Sequence, residues 1–386
     1  MSRVLYIGLM SGTSIDAMDG VLASFEDGTP KVVAAASRDW KGSERSELNL
    51  LCSQGPDELE RARQAALMVS QAELEVVQDL LSEAKVKPSD VAAIGAHGQT
   101  VRHRPDLGFT VQLSDPAFLA EGSGIDVVSH FRQADLAAGG DGAPLTPAFH
   151  SYLMGSKSEP RYVLNLGGIA NLTVMGVGGK VLEGYDTGPA DTLMDMAART
   201  FLKAPYDRNG EAAAKGRVNP AWLSRLMQHP YLRKDPPKST GREVFDSRCV
   251  AFCFDEALEH PELVPDLMAT LCEYTAMSAC DALEGSMRRQ GLAGGTLIAC
   301  GGGSKNPTLM KAISEMCADM GVAVKPSSSF GVDPQLLEPL SMAWMAMLFL
   351  QGRRLPLGGS SRAGRDVIAG FLTPAPGGMF ERFRNA

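Results

Sequence analysis

Residues 3–25 read RVLYIGLMSGTSIDAMDGVLASF. Residues 3–9 form an apolar run with the character of a strand. MSGTSIDAMD is a turn crowded with small and hydroxyl residues, and GVLASF is a second apolar run that returns. The same phrase recurs at 162–177, YVLNLGGIANLTVMGV, as strand, glycine turn and returning strand. Two such hairpins, each opening its own half, predict a duplicated fold with a ligand between the halves.

Working outward, Leu67, Leu74, Val77 and Leu81 share one face of a helix over 57–84, which KPS at 87–89 ends. VAAIGA then reads as a buried strand that delivers His97 to its carboxyl end. In the second half Leu263, Leu267, Leu271 and Tyr274 make another helical stripe. GTLIAC at 295–300 is a strand, followed by GGGSKNP and a helix to about Met320. Strands alternating with helices predict α/β layers. The charge-, Pro- and Gly-rich stretch 203–247 reads as a loop-rich insertion, and 353–378 as an irregular tail.

A chain of 386 residues that is 44% hydrophobic exceeds what one core usually serves, so two domains are expected. The net charge is -8 and no Lys/Arg run stands out, which argues against a nucleic-acid surface. No stretch approaches the roughly 20 apolar residues of a membrane span, and no leader segment is recognisable. The seven cysteines are odd in number and lack CxxC pairs, so neither a disulfide framework nor a zinc site is indicated. Reduced thiols imply a cytoplasmic location.

Several motifs carry chemistry, each with a plainer reading beside it. At 8–20, GLMSGTSIDAMDG, Gly12 permits close approach of backbone to an anion, Thr13 and Ser14 add hydroxyls, and turn N–H groups can form an anion nest. Asp16 and Asp19 fit a phosphate site when a Mg²⁺ bridges them; otherwise the segment is an ordinary polar turn. NLGGIAN at 165–171 is either a second such turn or a common Gly-Gly hairpin. CGGGSKN at 300–306 lies between strand and helix, where open α/β sheets bind ligands, and lacks the P-loop spacing. Asp186 in GYDTGP, on a turn before a helix, is either an N-cap or a functional base. AHGQTVRHRP at 96–105 gathers polar side chains in a loop after a strand. FRQADLAAGGDGAPLTPAFH at 131–150 reads as an inter-domain crossover bearing Arg132, Asp135 and Asp141. Glu338 stands near the start of an apolar helix, as a favourable N-terminal charge or a site group.

Taken together and in this order, with FGVDPQLLEPLSMAWMA at 330–346, these motifs resemble the anhydro-N-acetylmuramic acid kinase family over about residues 3 to 350. The resemblance implies an α/β, two-domain duplicated actin/hexokinase-like (ribonuclease H-like) fold with an interdomain cleft. It implies domains of residues 1–135 plus 341–386, and 136–340. It further implies an ATP- and Mg²⁺-dependent kinase that opens 1,6-anhydro-N-acetylmuramic acid with water, phosphorylates O6, and serves peptidoglycan recycling, with a homodimer possible. By the same resemblance Gly12, Thr13, Ser14, Ile15, Asp16, Ala17, Met18 and Asp19 form the first ATP phosphate loop. Gly167 and Gly168 lie in the second, and Gly301, Gly302 and Gly303 form the adenosine loop. Asp186 is the catalytic aspartate, with Glu338 assisting, and His97 and Arg132 line the sugar pocket. The metal ligands are not implied.

Two departures from the family pattern are visible: Ala17 where Gly is common, and GPAD where GPAN or GPGN is usual. Asp191 would raise the pKa of Asp186 if the two were close. Two rival readings stay open at this stage. One is a kinase for another sugar on the same fold, and the other a non-catalytic actin-like nucleotide switch.

Overall fold

The computed structural model describes residues 4–26, 29–241, 244–363 and 365–384. Arg3 of the first expected strand, residues 242 and 243 of the insertion, and Gly364 of the tail lie outside the described residues. The chain divides into two compact units, Met1–Leu153 with Leu336–Ala386, and Met154–Gln335. These divisions differ from those expected at 135/136 and 340/341. Helix Thr146–Met154 stays with the first unit because Phe149 and Tyr152 pack on Trp344, with ring centroids 5.5 and 5.2 Å away. Helix Leu337–Leu350 belongs there from its first residue, so Glu338 sits in the first unit and not the second.

In the first unit β1 (Leu5–Ser11), β2 (Ala17–Ser24) and β3 (Lys31–Asp39) form an antiparallel meander. On the other side of β1 lie β4 (Val91–Arg104) and then β6 (Val127–Ser129), both parallel to it. The outer end of β4 turns back into β5 (Phe109–Leu113). Helix Leu337–Leu350 lies directly on this sheet because Gly8 and Gly95 leave room. A side-chain carbon at either would collide with the backbone carbonyl of Pro339 or Met342. Almost every residue of that helix from Leu337 to Leu348 is buried, Glu338 being the partly exposed exception at its start. Helix Glu58–Ala84 supplies Val69, Val76, Val77 and Leu80 to the core on β2 and β4.

The second unit repeats the plan. β7 (Arg161–Leu166), β8 (Ile169–Met175) and β9 (Val181–Pro189) form a meander, and β10 (Gly295–Cys300) and β11 (Val322–Pro326) extend the sheet in parallel beyond β7. The order β11-β10-β7-β8-β9 matches β6-β4-β1-β2-β3 position for position. This is the duplicated α/β arrangement the two hairpins predicted, and the ribonuclease H-like one the family resemblance implied. Helices Val264–Gln290 and Pro307–Asp319 close the core with Leu267, Leu271, Tyr274, Leu309 and Ile313.

Three local expectations change. AHGQTVRHRP is not a loop: residues 96–104 continue β4, because β5 gives them a pairing partner. GYDTGP is not a turn: it is the end of β9, and the helix Asp191–Ala197 that follows is capped by Ala190. The tail is partly ordered, since Phe371–Thr373 pairs antiparallel with β6 and Leu355 bridges Val367.

Candidate functional site

In the first unit the turn at 12–16 is held from beneath. Gln99, fully buried on β4, donates from Nε2 to the Gly12 carbonyl at 3.2 Å. Its Oε1 lies 2.6 Å from Ser11 Oγ, which in turn accepts from Trp40 Nε1 at 3.0 Å. The Trp40 N–H reaches the Asp16 carbonyl at 3.0 Å and the Ile15 N–H the Gly12 carbonyl at 3.1 Å. Ile15 adopts a left-handed φ of 52° with its side chain in the core, and Met18 is also buried. These two residues therefore offer only backbone to a ligand, while Thr13 and Asp16 are exposed. Asp16 pairs with Arg45 at 2.7 Å, and Asp19 Oδ1 accepts from Ser37 at 2.6 Å. Burial, then the neighbouring Asp39 and Asp16, pushes the Asp19 carboxyl above the usual range.

Glu338 comes to the same turn because its helix rests on Gly8 and Gly95. A carbon placed on Gly12 would lie 4.0 Å from Glu338 Oε2 and 3.6 Å from Ser14 Oγ. His97 and Arg132 are also brought together. Arg132 Nε donates to His97 Nε2 at 3.0 Å, which leaves the ring proton on Nδ1, 3.0 Å from the Gly98 carbonyl. Burial, then the Arg132 charge, holds the His97 pKa down to about 3, so the ring is neutral. Arg132 Nη1 also donates to the Gly142 carbonyl at 2.8 Å, and the Gly142 N–H donates to Asp135 at 2.7 Å. Arg102 and Arg104 do not join this group. Arg102 bonds Glu58 and the Leu51 carbonyl, and Arg104 bonds Asp106.

In the second unit two glycine segments meet over the start of helix Asp191–Ala197. The Gly168 carbonyl accepts from the N–H groups of Ala190 and Thr192, at 3.0 and 3.2 Å, and from Thr192 Oγ1 at 2.7 Å. The Gly167 carbonyl accepts from the Asp191 N–H at 2.9 Å. The Gly303 N–H donates to the Asp191 carboxyl, which burial and then Asp195 push well above the ordinary carboxylate range. Asp191 thus binds the loop at 301–303 to the turn at 167–168, and Asp186 is not among the groups that shift it. Gly301 has a φ of 79°, and a carbon on it would stand 2.5 Å from Asn165 Oδ1 and 2.6 Å from the Leu166 carbonyl. Beyond this loop a pocket of about 450 Å³ is lined by Ala213, Val218, Cys272, Glu273, Thr308 and Lys311 among others.

Asp186 lies at a β-bulge: Asn171 pairs with Asp186 but Ala170 with Gly188, so Thr187 is the extra residue. Bulges re-aim side chains and cluster beside active sites. The insertion grips this position. Tyr231 Oη donates to the Asp186 carbonyl at 2.8 Å, the Asp186 N–H to the Lys238 carbonyl at 3.2 Å, and the Thr240 N–H to Asp186 Oδ2 at 2.9 Å. The Lys238 ammonium sits 4.9 Å from the Tyr231 ring and 5.8 Å from that of Tyr185. Burial, then Arg289, lowers its pKa to about 8.

The family model for anhydro-N-acetylmuramic acid kinase matches residues 4–375. The chain belongs to the anhydro-N-acetylmuramic acid kinase family. It is 46% identical over 379 residues to the anhydro-N-acetylmuramic acid kinase of Bordetella petrii, covering 96% of each chain. It is 42% identical over 381 residues to that of Paraburkholderia xenovorans, covering 96% of this chain and 98% of the relative. Among solved structures it is similar to a ROK hexokinase from Thermus thermophilus, with a TM-score of 0.39, 15% identity, and 89% and 99% of the two chains covered. At that score the likeness carries no argument about this chain.

Asp19, raised by burial and then by Asp39 and Asp16, and exposed Asp16 offer oxygen donors, and a hard divalent cation between them would favour their charged forms. The residues present therefore fit Mg²⁺. Sequence reasoning missed Gln99 as the brace of the first turn, Asp191 as the link between two glycine loops, and the grip of residues 231–240 on Asp186. The Pro-Pro-Lys-Ser-Thr-Gly turn signal at 236–241 was the available clue to the last.

Proposed function

We propose residue roles for the reaction of this family, with Asp186 as the general base. The chain is an ATP-dependent carbohydrate kinase of peptidoglycan recycling: it converts 1,6-anhydro-N-acetylmuramic acid, ATP and water into N-acetylmuramic acid 6-phosphate and ADP. Asp186 takes a proton from a water whose oxygen bonds to C1. The C1–O6 bond breaks, charge spreads over an oxocarbenium-like ring, and O6 takes the γ-phosphoryl group as its bond to ADP breaks. Phosphorus captures O6 in place of a proton, so no second carboxylic acid is needed. The observation that carries this reading is the bulge at Asp186, with its backbone held on both sides and Oδ2 already bonded to Thr240.

Backbone N–H groups of the turn at 12–16 and of the segment at 167–168 are the phosphate-binding groups, and the loop at 301–303 borders the adenosine. The pocket of about 450 Å³ takes the adenosine, its size lying within the usual range of ligand sites. Asp19 and Asp16 would hold Mg²⁺, which when bound would neutralise phosphate charge. Neutral His97 lines the sugar pocket and orients charged Arg132, which binds a polar group of the sugar, and Glu338 orients the sugar or the water. Seven free cysteines fit a reducing, cytoplasmic setting.

In Asp186→Asn, ATP and sugar still bind and kcat falls about 10²–10⁴-fold; near-normal turnover removes Asp186 from the role. With ¹⁸O-water, wild-type product carries the label at C1, which a kinase acting on an ordinary sugar hydroxyl does not produce.

A further inference from the structure

The insertion at 203–247 carries a hydroxyl that nothing above uses. Thr240 Oγ1 is buried and has no hydrogen-bond partner among the described residues. Buried hydroxyls are nearly always paired, so one left alone marks a place where a ligand or an ordered water supplies the missing bond. Its position gives that partner a chemistry. The N–H of the same residue donates to Asp186 Oδ2 at 2.9 Å, so covalent geometry keeps the hydroxyl beside that carboxylate. The segment cannot drift, because the Asp186 N–H bonds the Lys238 carbonyl and Tyr231 Oη bonds the Asp186 carbonyl. Lys238 Nζ in turn lies 3.4 Å from the Tyr231 carbonyl and 3.3 Å from that of Leu232.

We propose that Thr240 is a further residue of the reaction site, and that its hydroxyl holds the water that Asp186 deprotonates. This rests on the reading of Asp186 as the base. The Thr240 N–H bonded to Oδ2 fixes the carboxylate beside the hydroxyl, so both can reach one water. The water gives one hydrogen to Asp186 and the other to Thr240 Oγ1. With both hydrogens held, its oxygen lone pairs face away from Asp186 and Thr240, on the side left for C1. One residue thereby sets the base with its backbone and the nucleophile with its side chain. Asp186 alone would leave the water free to rotate about a single hydrogen bond.

The test compares Thr240→Val, Thr240→Ser and Asp186→Asn in steady-state assays with ATP and 1,6-anhydro-N-acetylmuramic acid. Valine keeps shape and the backbone N–H but lacks the hydroxyl. The expected result is a fall in kcat of at least about tenfold with both KM values near wild type, since misplacing a reactant costs turnover more than affinity. Serine retains most of the turnover. The pH limb due to Asp186 stays in place in the valine variant, because its hydrogen bond from the backbone remains. Wild-type kcat in Thr240→Val, a loss confined to KM, or Thr240→Ser as slow as valine each overturns the proposal. Should Thr240→Val not fold, Thr240→Ala, which removes the same hydroxyl, decides in its place. Failure of the underlying reading looks different: Asp186→Asn then turns over near the wild-type rate, whatever Thr240 does.

Discussion

Between β1 and β2 the turn is braced by side chains: Gln99 holds the Gly12 carbonyl, and Ser11 and Trp40 lock Gln99 in place. Between β7 and β8 it is braced mostly by backbone, with N–H groups from Ala190, Asp191 and Thr192 converging on the Gly167 and Gly168 carbonyls. Duplication has kept the strand order and changed the bracing. At the turns themselves glycine is free of clashes in both units, a carbon on Gly167 meeting nothing closer than 3.8 Å. A carbon on Gly12 meets nothing closer than 3.6 Å, whereas one on Gly301 meets backbone at 2.6 Å in a left-handed conformation. Each unit also buries a carboxyl, raised by that burial, against a backbone N–H beside its site. Glu73 accepts from Gly98, next to His97, and Asp191 accepts from Gly303.

The strongest way to break this contrast is to add one methyl group to each unit. Gly301→Ala must shift the end of β7 and hold alanine at positive φ, which costs about 1–2 kcal/mol before any clash is counted. ATP KM rises at least tenfold, and Tm falls. Gly12→Ala finds ordinary contact distances and changes ATP KM by less than about threefold. Equal effects in both would end the distinction. Next come the braces themselves. Gln99→Leu leaves buried Ser11 and Gly12 groups poorly paired and destabilises by about 1–3 kcal/mol, with weaker ATP binding. Thr192→Val removes one of three bonds to the Gly168 carbonyl and keeps the two from backbone, so isothermal titration with ATP shows little change.

The smallest effects concern pH. Burial raises Glu73 from 4.5 to about 7 against the pull of Ser114, Ser70 and Gly98. The folded state therefore keeps a proton that the unfolded chain has lost, so stability declines as pH rises from 4.5 to about 7 and is level beyond. Glu73→Gln removes that decline, with Tm a few degrees above wild type at pH 8 and no gain at pH 4. Asp191→Asn behaves alike in the second unit, its window opening above 3.8. Tm measured against pH for both variants compares the two buried carboxyls directly.

The hairpins, the glycine turns and the alternation of strand and helix were legible in the sequence because they are local. Strand residues and turn residues sit next to each other in the chain. His97 and Arg132 were legible as site residues but not as partners, since their bond joins the end of β4 to a helix start 35 positions on. The run at 96–104 read as a loop because its polar residues hide a strand whose pairing comes only from β5. Asp186 taken by itself read first as a helix cap, and only the bulge and the N-cap position of Ala190 remove that reading. The grip on Asp186 from 45 and 54 residues away had no local trace beyond a proline-rich turn.

The helix Leu337–Leu350 lies in a sheet that begins at Leu5, with all of Met154–Gln335 synthesised between them. On the ribosome the second unit is contiguous and can close as soon as its own residues emerge, while the first waits with Gly8 and Gly95 bare. The usual order, in which the N-terminal part of a chain folds first, is thereby reversed. A nascent chain stopped short of Leu337 would hold one finished unit and one open sheet, lacking both its lid and Glu338.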